Sequence, residues 1–210
     1  SDLTERFYID EETGVVVITG AEIKCEVQDT GIEILSYFLD PESEDVKDLL
    51  DRNSELRDQR IRDMIGNLND EIDYNLTEEE VFQYAEGNPG RPHIAKALTE
   101  SEEVEDVQVE NDAFNKYIGE DCPAYIPTPK QDAEKVIKTV LDEGGVPVLA
   151  HPGRDLEKDE AQEIVDELVD YGLQGLEVMY SWDHKRENGY ELHFGEDYSR
   201  ALAEEFDLIW

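Results

Sequence analysis

The sequence predicts an α/β protein whose strands are mostly parallel. The main observation is an alternation after Lys130, in which a helical pattern of apolar residues is followed twice by a short β-rich run. The two runs are Val146–Ala150 and Gly175–Tyr180. Alternation of this kind is typical of a parallel sheet covered by helices. Such folds bind ligands at the carboxyl ends of their strands, so the residues that follow each strand are candidates for a site.

The first 42 residues contain two further β-rich runs. Residues 14–22 and 31–40 predict neighbouring strands, and the first of them ends at Glu22. A long charged helix is predicted over residues 43–73. A second helix begins at Thr77, where the hydroxyl and Glu80 form a capping box.

A third helix is predicted from Pro92 to about Leu98, and residues 100–129 are acidic, with several prolines. These elements predict a helical insertion over residues 43–127, between two parts of one fold at residues 1–42 and 128–210. A last helix is expected over 198–205, and Leu208–Trp210 resembles the start of another strand. We therefore expect that the full protein continues beyond this point.

Charge is the second informative feature of the chain. It has 55 acidic and 18 basic residues, which give a formal net charge of −37 spread along its length. High salt screens such repulsion, so we expect a halophilic source. General binding to nucleic-acid backbones or anionic membranes requires a basic face, which this composition excludes. An anionic substrate must then be held locally, by metal ions and a few arginines.

Cysteine usage and hydropathy exclude several other classes. Cys25 and Cys122 are far apart and belong to no CxxC motif, so neither a disulfide framework nor a structural zinc site is expected. The sequence has no signal-peptide pattern and no apolar run of membrane-spanning length. We expect a cytoplasmic protein.

His151 and Arg154 are the first candidate site residues, because they follow the predicted strand Val146–Ala150 directly. A neutral imidazole can ligate a metal, and a guanidinium can bind a phosphate through two parallel hydrogen bonds. From the residues alone, a histidine beside a turn with a purely structural role is an equally good interpretation.

Six short motifs occur in a fixed order along the chain. They are Gly20-Ala21-Glu22-Ile23, Glu33-Ile34-Leu35-Ser36-Tyr37, Gly90-Arg91-Pro92-His93-Ile94-Ala95, Ala113-Phe114-Asn115-Lys116-Tyr117 with Pro123-Ala124-Tyr125-Ile126-Pro127, Ala150-His151-Pro152-Gly153-Arg154 and Gly175-Leu176-Glu177-Val178. This ordered set resembles the PHP (polymerase and histidinol phosphatase) family of metal-dependent phosphoesterases. It is most similar to the branch that hydrolyses 3′,5′-nucleoside bisphosphates and trims short RNA. The resemblance implies a distorted (β/α)₇ barrel with an inserted helical subdomain.

The resemblance also implies metal ligands. Glu22 matches the family's metal-binding carboxylate and His151 matches its histidine ligand, while Glu33 stands where the family has a histidine. Carboxylates and imidazoles together suit Mn²⁺, Fe²⁺, Zn²⁺ or Mg²⁺. Two or three such ions are implied for a full-length enzyme. The alternative for Glu22 is one more solvated acid in an acidic chain.

Substrate residues follow from the same match. Arg91 and His93 belong to a motif that faces the substrate in this branch, and Lys116 and Arg154 match phosphate contacts. Arg91, His93 and Arg154 are thus candidate catalytic residues, and Arg91, Lys116 and Arg154 are candidate substrate-binding residues. Arg91 is favoured because a chain with few cations has few to place without a function. The alternative for His93 is that it caps or packs its helix.

Three departures from the family pattern leave alternatives open. The His-x-His and Thr-Asp-His motifs are missing upstream of Glu22, the Ser-Asp-x-His motif is missing after Trp210, and Glu33 replaces a histidine. We expect a fragment of a phosphoesterase that acts on small nucleotides, such as 3′,5′-bisphosphates, or short oligonucleotides. The alternative is a catalytically incomplete module that binds a nucleotide or a protein partner. A histidinol phosphatase is a third possibility, against which the Gly-Arg-Pro-His motif weighs.

Overall fold

A computed structural model describes residues 6–85, 87–101, 103–180 and 192–210 of the chain. The fold is mixed α/β and divides into two compact units. The first unit joins the chain up to Leu50 with Lys130–Trp210, and the second is Asp51–Pro129. Across the described residues, no helix combines the length and the apolar character that crossing a membrane requires.

The first unit contains a five-stranded sheet and a separate hairpin. The strands are, in chain order, β1 (Phe7–Ile9), β2 (Val16–Ile18), β3 (Gly20–Val27), β4 (Thr30–Tyr37), β5 (Gln131–Asp132), β6 (Val146–Leu149) and β7 (Gly175–Leu176). Strands β1 and β2 form the hairpin, and the larger sheet has the order β5-β3-β4-β6-β7.

Strand direction corrects the prediction of a parallel sheet. Strand β4 runs antiparallel to both β3 and β6, whereas the β3–β5 and β6–β7 pairs are parallel. Gly175 also forms a parallel bridge with Ile209, where the sequence predicts a last strand. The physical reason for the antiparallel pair is a two-residue turn at Gln28 and Asp29, whose φ angles are 49° and 65°. A connection this short can join only antiparallel strands.

Two predicted strands have different bounds in the structure. The run at residues 14–22 is divided at Thr19, whose hydroxyl lies within hydrogen-bond distance of the carbonyls of Arg6 and Leu39. Glu22 is consequently the third residue of β3 rather than the last residue of a strand. The predicted strand Gly175–Tyr180 forms a ladder only at its first two residues.

The helices follow the apolar spacing of the sequence. They are α1 (Glu44–Glu71), α2 (Glu78–Phe82), α3 (Arg91–Glu100), α4 (Glu110–Ala113), α5 (Ala133–Asp142), α6 (Pro152–Asp155), α7 (Ala161–Tyr171) and α8 (Glu196–Glu205), and a π-helical turn at Phe114–Ile118 follows α4. Helix α2 begins at the capping box that the sequence predicts, with the Thr77 hydroxyl accepting from the Glu80 N–H at 3.3 Å.

Each unit has its own apolar core. In the first unit, helices α5 and α7 contribute the faces that the sequence predicts, and both faces are buried. Val46 and Leu49 of α1 also belong to this core, so the first unit extends further into α1 than the predicted boundary at residue 43. The later part of α1 contributes Ile61, Met64 and Leu68 to the core of the second unit.

Candidate metal centre and substrate residues

Strand register brings two acidic residues and a lysine to one face of the β3–β4 hairpin. Lys24 lies directly opposite Glu33, and Glu22 is two residues before Lys24 on the same strand. Side chains two residues apart share a face of a strand, and diagonal cross-strand neighbours are within reach of long side chains. Lys24 Nζ lies 2.7 Å from Glu33 Oε1. The hairpin thus places both glutamates on the same face.

His151 reaches this face from the end of β6. The Ala150 N–H donates to the Glu33 carbonyl at 2.9 Å and extends the β4–β6 pairing by one bond. His151 follows with φ 24° and ψ 58°, a left-handed conformation that is uncommon for a residue other than glycine. Its N–H donates to Glu177 Oε2 at 2.8 Å. This bend directs the imidazole toward the two glutamates.

Glu22, Glu33 and His151 form a cluster whose ligand atoms all lie within 4.8 Å of one another. His151 Nε2 lies 3.3 Å from Glu22 Oε1 and 3.0 Å from Glu33 Oε2. The side chains of Glu33 and His151 are buried, with 9% and 6% exposed, whereas Glu22 is 51% exposed. Two carboxylate oxygens and one imidazole nitrogen at this spacing fit a single divalent ion, and the exposure of Glu22 leaves one side open to solvent.

Arg154 and Asp155 lie beside two members of the cluster, Glu33 and His151. Arg154 Nη2 lies 3.0 Å from Glu33 Oε2, and the same guanidinium donates to Asp155 Oδ1 and Oδ2 at 2.7 and 2.9 Å. Asp155 Oδ2 is also 3.2 Å from His151 Nδ1, a buried nitrogen without a well-directed hydrogen bond among the described residues. Carboxylates beside the second nitrogen of a ligating histidine are a common support in metal sites.

The charges in the cluster alter its protonation. Hydrogen bonding to the Glu33 carboxylate, together with burial, raises the pKa of Glu22. Burial alone would raise the pKa of Glu33, but bonds to His151, Glu22 and Lys24 outweigh it and hold that pKa well below its usual range. Burial likewise opposes a charged His151, yet Asp155 and Glu33 raise its pKa to about 9. Without a metal ion, Glu22 thus binds a proton more readily and Glu33 stays charged beside cationic side chains. This concentration of negative charge favours a cation.

Arg91 belongs to the second unit. It is the first residue of α3, and its guanidinium carbon lies 5.2 Å from the centre of the Tyr125 ring. The guanidinium carbon of Arg60 lies 5.6 Å from the same ring centre. Burial and the positive charge of Arg91 lower the pKa of Arg60, whose Nη2 is buried without a hydrogen-bond partner among the described residues. The second unit therefore contains a pair of guanidinium groups around Tyr125, with Glu120 4.0 Å from Arg91 Nη2.

The other two predicted substrate residues of the second unit have local partners. His93 Nδ1 accepts the Gly90 N–H at 2.9 Å, so His93 caps the first turn of α3. Lys116 Nζ lies 3.2 Å from Asp106 Oδ2, which also accepts the Tyr117 hydroxyl at 2.8 Å. The hydrogen bond from Gly90 confirms that His93 caps its helix. The substrate roles of His93 and Lys116 stay predictions.

Sequence reasoning assigned no role to four residues near these sites, namely Lys24, Arg60, Asp155 and Glu177. Glu177 belongs to one of the six motifs, and Asp155 follows Arg154 directly. The sequence position of each residue therefore indicated that it could lie near the site. Lys24 and Arg60 had none, because their neighbours are set by strand register and by packing within the second unit.

Comparison with known proteins gives relatives that are named as exoribonucleases or as a nucleotide phosphatase. No family model matches the chain. It is 27% identical over 144 residues to a 5′-3′ exoribonuclease of Haemophilus influenzae, covering 69% of this chain and 51% of the relative. It is 30% identical over 89 residues to a 3′,5′-nucleoside bisphosphate phosphatase of Chromobacterium violaceum, covering 42% and 30%. It is 27% identical over 164 residues to the 5′-3′ exoribonuclease Rnm of Salmonella typhimurium, covering 77% and 55%. The chain therefore spans about half the length of these curated relatives, or less.

Two solved structures have the same fold over nearly the whole chain. One is described as a metal-dependent phosphoesterase from Bifidobacterium adolescentis, with a TM-score of 0.71, 29% identity, and coverage of 94% of this chain and 67% of that one. The other is an amidohydrolase from Chromobacterium violaceum with bound sulfate, with a TM-score of 0.68, 21% identity, and coverage of 91% and 64%. The second similarity concerns the fold alone.

The chain shares its α/β fold with a metal-dependent phosphoesterase, and its acidic cluster could hold a metal ion. The order of the six motifs and the named relatives make the assignment more specific, and together they support membership of the PHP superfamily.

Proposed function

We propose that this chain forms part of a metal-dependent phosphoesterase that hydrolyses phosphate esters of small nucleotides, such as 3′,5′-bisphosphates, or of short oligonucleotides. The observation that carries the proposal is the cluster of Glu22, Glu33 and His151, with a guanidinium 3.0 Å from one of its carboxylates. The names of the exoribonuclease, bisphosphate phosphatase and phosphoesterase relatives support it.

In this proposal, Glu22, Glu33 and His151 hold one divalent ion, and Mn²⁺, Fe²⁺, Zn²⁺ and Mg²⁺ are the candidates. When bound, such an ion lowers the pKa of a coordinated water and neutralises the phosphoryl oxygens of the substrate. A second or third ion needs ligands besides these three. His151 must be neutral to ligate, and Asp155 beside its Nδ1 supports the tautomer in which Nε2 is the free nitrogen.

Arg154 has the role of a phosphate contact beside the metal ligands. Its Nε and Nη2 are already bound by Asp155 and Glu33, which fix the plane of the guanidinium. An arginine offers five donors in a planar fork, so Nη1 provides further donors for a phosphate oxygen. The carboxylates thereby position the arginine before any substrate arrives.

In the second unit, Arg91, His93 and Lys116 are the proposed substrate residues. A second guanidinium, that of Arg60, adds to the positive potential around Tyr125, which favours an anionic ligand for Arg91. Because His93 Nδ1 accepts a backbone N–H, the proton of the neutral ring is on Nε2, which can donate to a substrate oxygen. A phosphate at Lys116 has to compete with Asp106.

The experiment that tests the proposal measures metal content and phosphate release with the intact gene product that contains this chain. Adenosine 3′,5′-bisphosphate is the substrate, and His151→Ala is compared with His193→Ala. His193 pairs with Glu157 at 3.0 Å and is not a member of the cluster, so its replacement controls for the loss of an imidazole. We expect His151→Ala to lose both bound metal and activity, and His193→Ala to keep both.

Two results would contradict the proposal. A gene product that binds no divalent metal and releases no phosphate, yet binds adenosine 3′,5′-bisphosphate, would support the catalytically incomplete module instead. Full activity in His151→Ala would show that the cluster is not the metal centre.

A further inference from the structure

The backbone of His151 is strained at the point where the cluster needs it. Its φ of 24° and ψ of 58° cost free energy in a residue that carries a Cβ. The next residue is Pro152, whose ring disfavours this region for the residue before it. Such a conformation persists only when surrounding contacts determine it.

A carboxylate holds this peptide group in place. Glu177 Oε2 accepts the His151 N–H at 2.8 Å, and a hydrogen bond to a charged acceptor is stronger than one to a neutral acceptor. On the other side of the residue, the His151 carbonyl accepts the Arg154 N–H at 2.9 Å. Both backbone polar groups of His151 therefore have partners.

The backbone of Glu177 is held next to β6 by a hydrogen bond. Its N–H donates to the Leu149 carbonyl at 2.8 Å, two residues before His151 on the neighbouring strand. Leu176 and Val178 on either side of it are buried in the core of the first unit. The side chain of Glu177 thus starts from a fixed point, and its reach to the His151 N–H is set by the β6–β7 pairing.

We propose that Glu177 is a positioning residue, whose carboxylate holds the left-handed backbone of His151 and thereby directs Nε2 toward Glu22 and Glu33. Glu177 acts here through a peptide N–H, so a neutral acceptor of the same length keeps this hydrogen bond in a weaker form. For its effect on metal affinity, the inference rests on the proposed metal centre. Its effect on the His151 backbone does not depend on that centre.

A pair of variants with equal charge tests the inference in the full chain. Glu177→Gln keeps an acceptor oxygen at the same distance, while Glu177→Met has a similar length and offers no comparable acceptor. Both remove one negative charge, so the difference between them reports the acceptor alone. The probe is Mn²⁺ alone, with the Kd measured by calorimetry, and amide hydrogen exchange at His151 is measured in metal-free protein.

We expect Glu177→Met to weaken Mn²⁺ binding by about 10- to 100-fold, the range found when a supporting residue of a metal ligand is removed. Glu177→Gln should stay within about threefold of wild type on the same reasoning. The His151 amide should exchange faster in Glu177→Met and keep its protection in Glu177→Gln. Wild-type Mn²⁺ affinity and amide protection in Glu177→Met would overturn the inference. Equal losses in both variants would also overturn it, because charge rather than the hydrogen bond would then matter.

Two further measurements keep the outcomes separate. If wild-type protein binds no Mn²⁺, the proposed metal centre fails, and the amide exchange at His151 still decides the role of Glu177. If Glu177→Met is too unstable for the calorimetry, its effect on the free energy of unfolding is measured in wild type and in a His151→Gly background, because glycine adopts positive φ without a Cβ penalty. The inference requires that Glu177→Met destabilise this background less than it destabilises wild type, and equal destabilisation would count against it.

Discussion

Replacing Glu33 by Gln tests whether one buried carboxylate holds the cationic groups of the cluster together. Glu33 is 7% exposed and lies 2.7 Å from Lys24 Nζ, 3.0 Å from Arg154 Nη2 and 3.0 Å from His151 Nε2. Glutamine has nearly the same shape, but it is neutral and has one acceptor oxygen in place of two. In the variant the three cationic partners share one neutral acceptor at position 33. Arg154 keeps Asp155, and His151 keeps Glu22 and Asp155.

The magnitude follows from the exposure of those partners. Removing one member of a buried ion pair costs about 3–5 kcal/mol of stability, because the other charge is left without compensation. Lys24 is 40% exposed and can turn toward water, and His151 can release its proton once the Glu33 charge is gone. These two responses reduce the cost, so we expect Glu33→Gln to lower the free energy of unfolding by about 2–3 kcal/mol at pH 7.

Glu26→Gln is the matched control for this variant. Glu26 lies on β3, the strand paired with that of Glu33; it is 48% exposed and pairs with Lys130 at 3.3 Å. Both substitutions change the net charge by the same amount, which matters in a chain whose formal charge is −37. Exposed ion pairs contribute about 0–1 kcal/mol, so the control should change stability very little.

The assay is urea unfolding of metal-free protein at a fixed KCl concentration, followed by circular dichroism. Urea is preferred to guanidinium chloride because it does not screen charge. If Glu33→Gln and Glu26→Gln have the same free energy of unfolding within about 0.5 kcal/mol, the reasoning is refuted, since surface substitutions commonly vary by that amount. The cationic groups would then be held by other contacts.

Four other outcomes are expected. The melting temperature should rise from 0.1 to 1 M KCl, because the Debye length falls from about 10 Å to about 3 Å, and a flat or falling curve would contradict this. Because the folded-state pKa of His151, about 9, exceeds its ordinary 6.5, the charged ring stabilises metal-free protein below pH 6.5 and ceases to do so by pH 9. Urea melts across that window should show this loss, and His151→Asn should not show it. Added Mn²⁺ should raise the melting temperature of wild type and leave that of His151→Ala unchanged. Arg91→Ala should reduce kcat/KM on adenosine 3′,5′-bisphosphate by an amount equivalent to about 2–4 kcal/mol, with little recovery in Arg91→Lys and none of this loss in Arg52→Ala.

The parts of the fold that the sequence predicted are those determined by local spacing. The apolar face of α5 is buried at Val136, Ile137 and Val140, because a period of 3.6 residues reports directly which side of a helix meets the core. The start of α2 was predictable for the same reason, since a capping box needs only residues within one turn. His151 was predictable in the same way, because the apolar run before it is short and is followed directly by the histidine and Pro152.

The parts that the sequence did not predict depend on pairing between distant residues. Gln28 and Asp29 adopt positive φ without a glycine between the strands, so the strongest hairpin signal was missing and β3 and β4 were assigned to a parallel sheet. The position of Lys24 opposite Glu33 depends on the register of that hairpin, and a shift of one residue would place the side chain on the other face. The geometry of the cluster therefore could not be worked out from composition and spacing.

The scarcity of cations was also a weaker argument than the sequence suggested. A chain with 18 basic and 55 acidic residues suggests that few basic residues are present without a function. Lys24, Lys116 and Arg154 nevertheless all lie against carboxylates, because in such a chain almost any cation meets an acid. The pairing of a cation is thus more informative than its presence.

Judged by its partners, Arg60 is the more unusual arginine. Its surroundings depend on packing, so the sequence does not reveal them. Arg60 is 9% exposed, and its Nη2 has no hydrogen-bond partner among the described residues. Burial and the charge of Arg91 both lower the pKa of Arg60. Keeping Arg60 charged therefore costs the second unit free energy. An anion near Tyr125 would offset that cost, because it would neutralise two guanidinium groups at once. This strongly acidic protein therefore places two guanidinium groups beside one aromatic ring, with Glu120 4.0 Å from Arg91 Nη2.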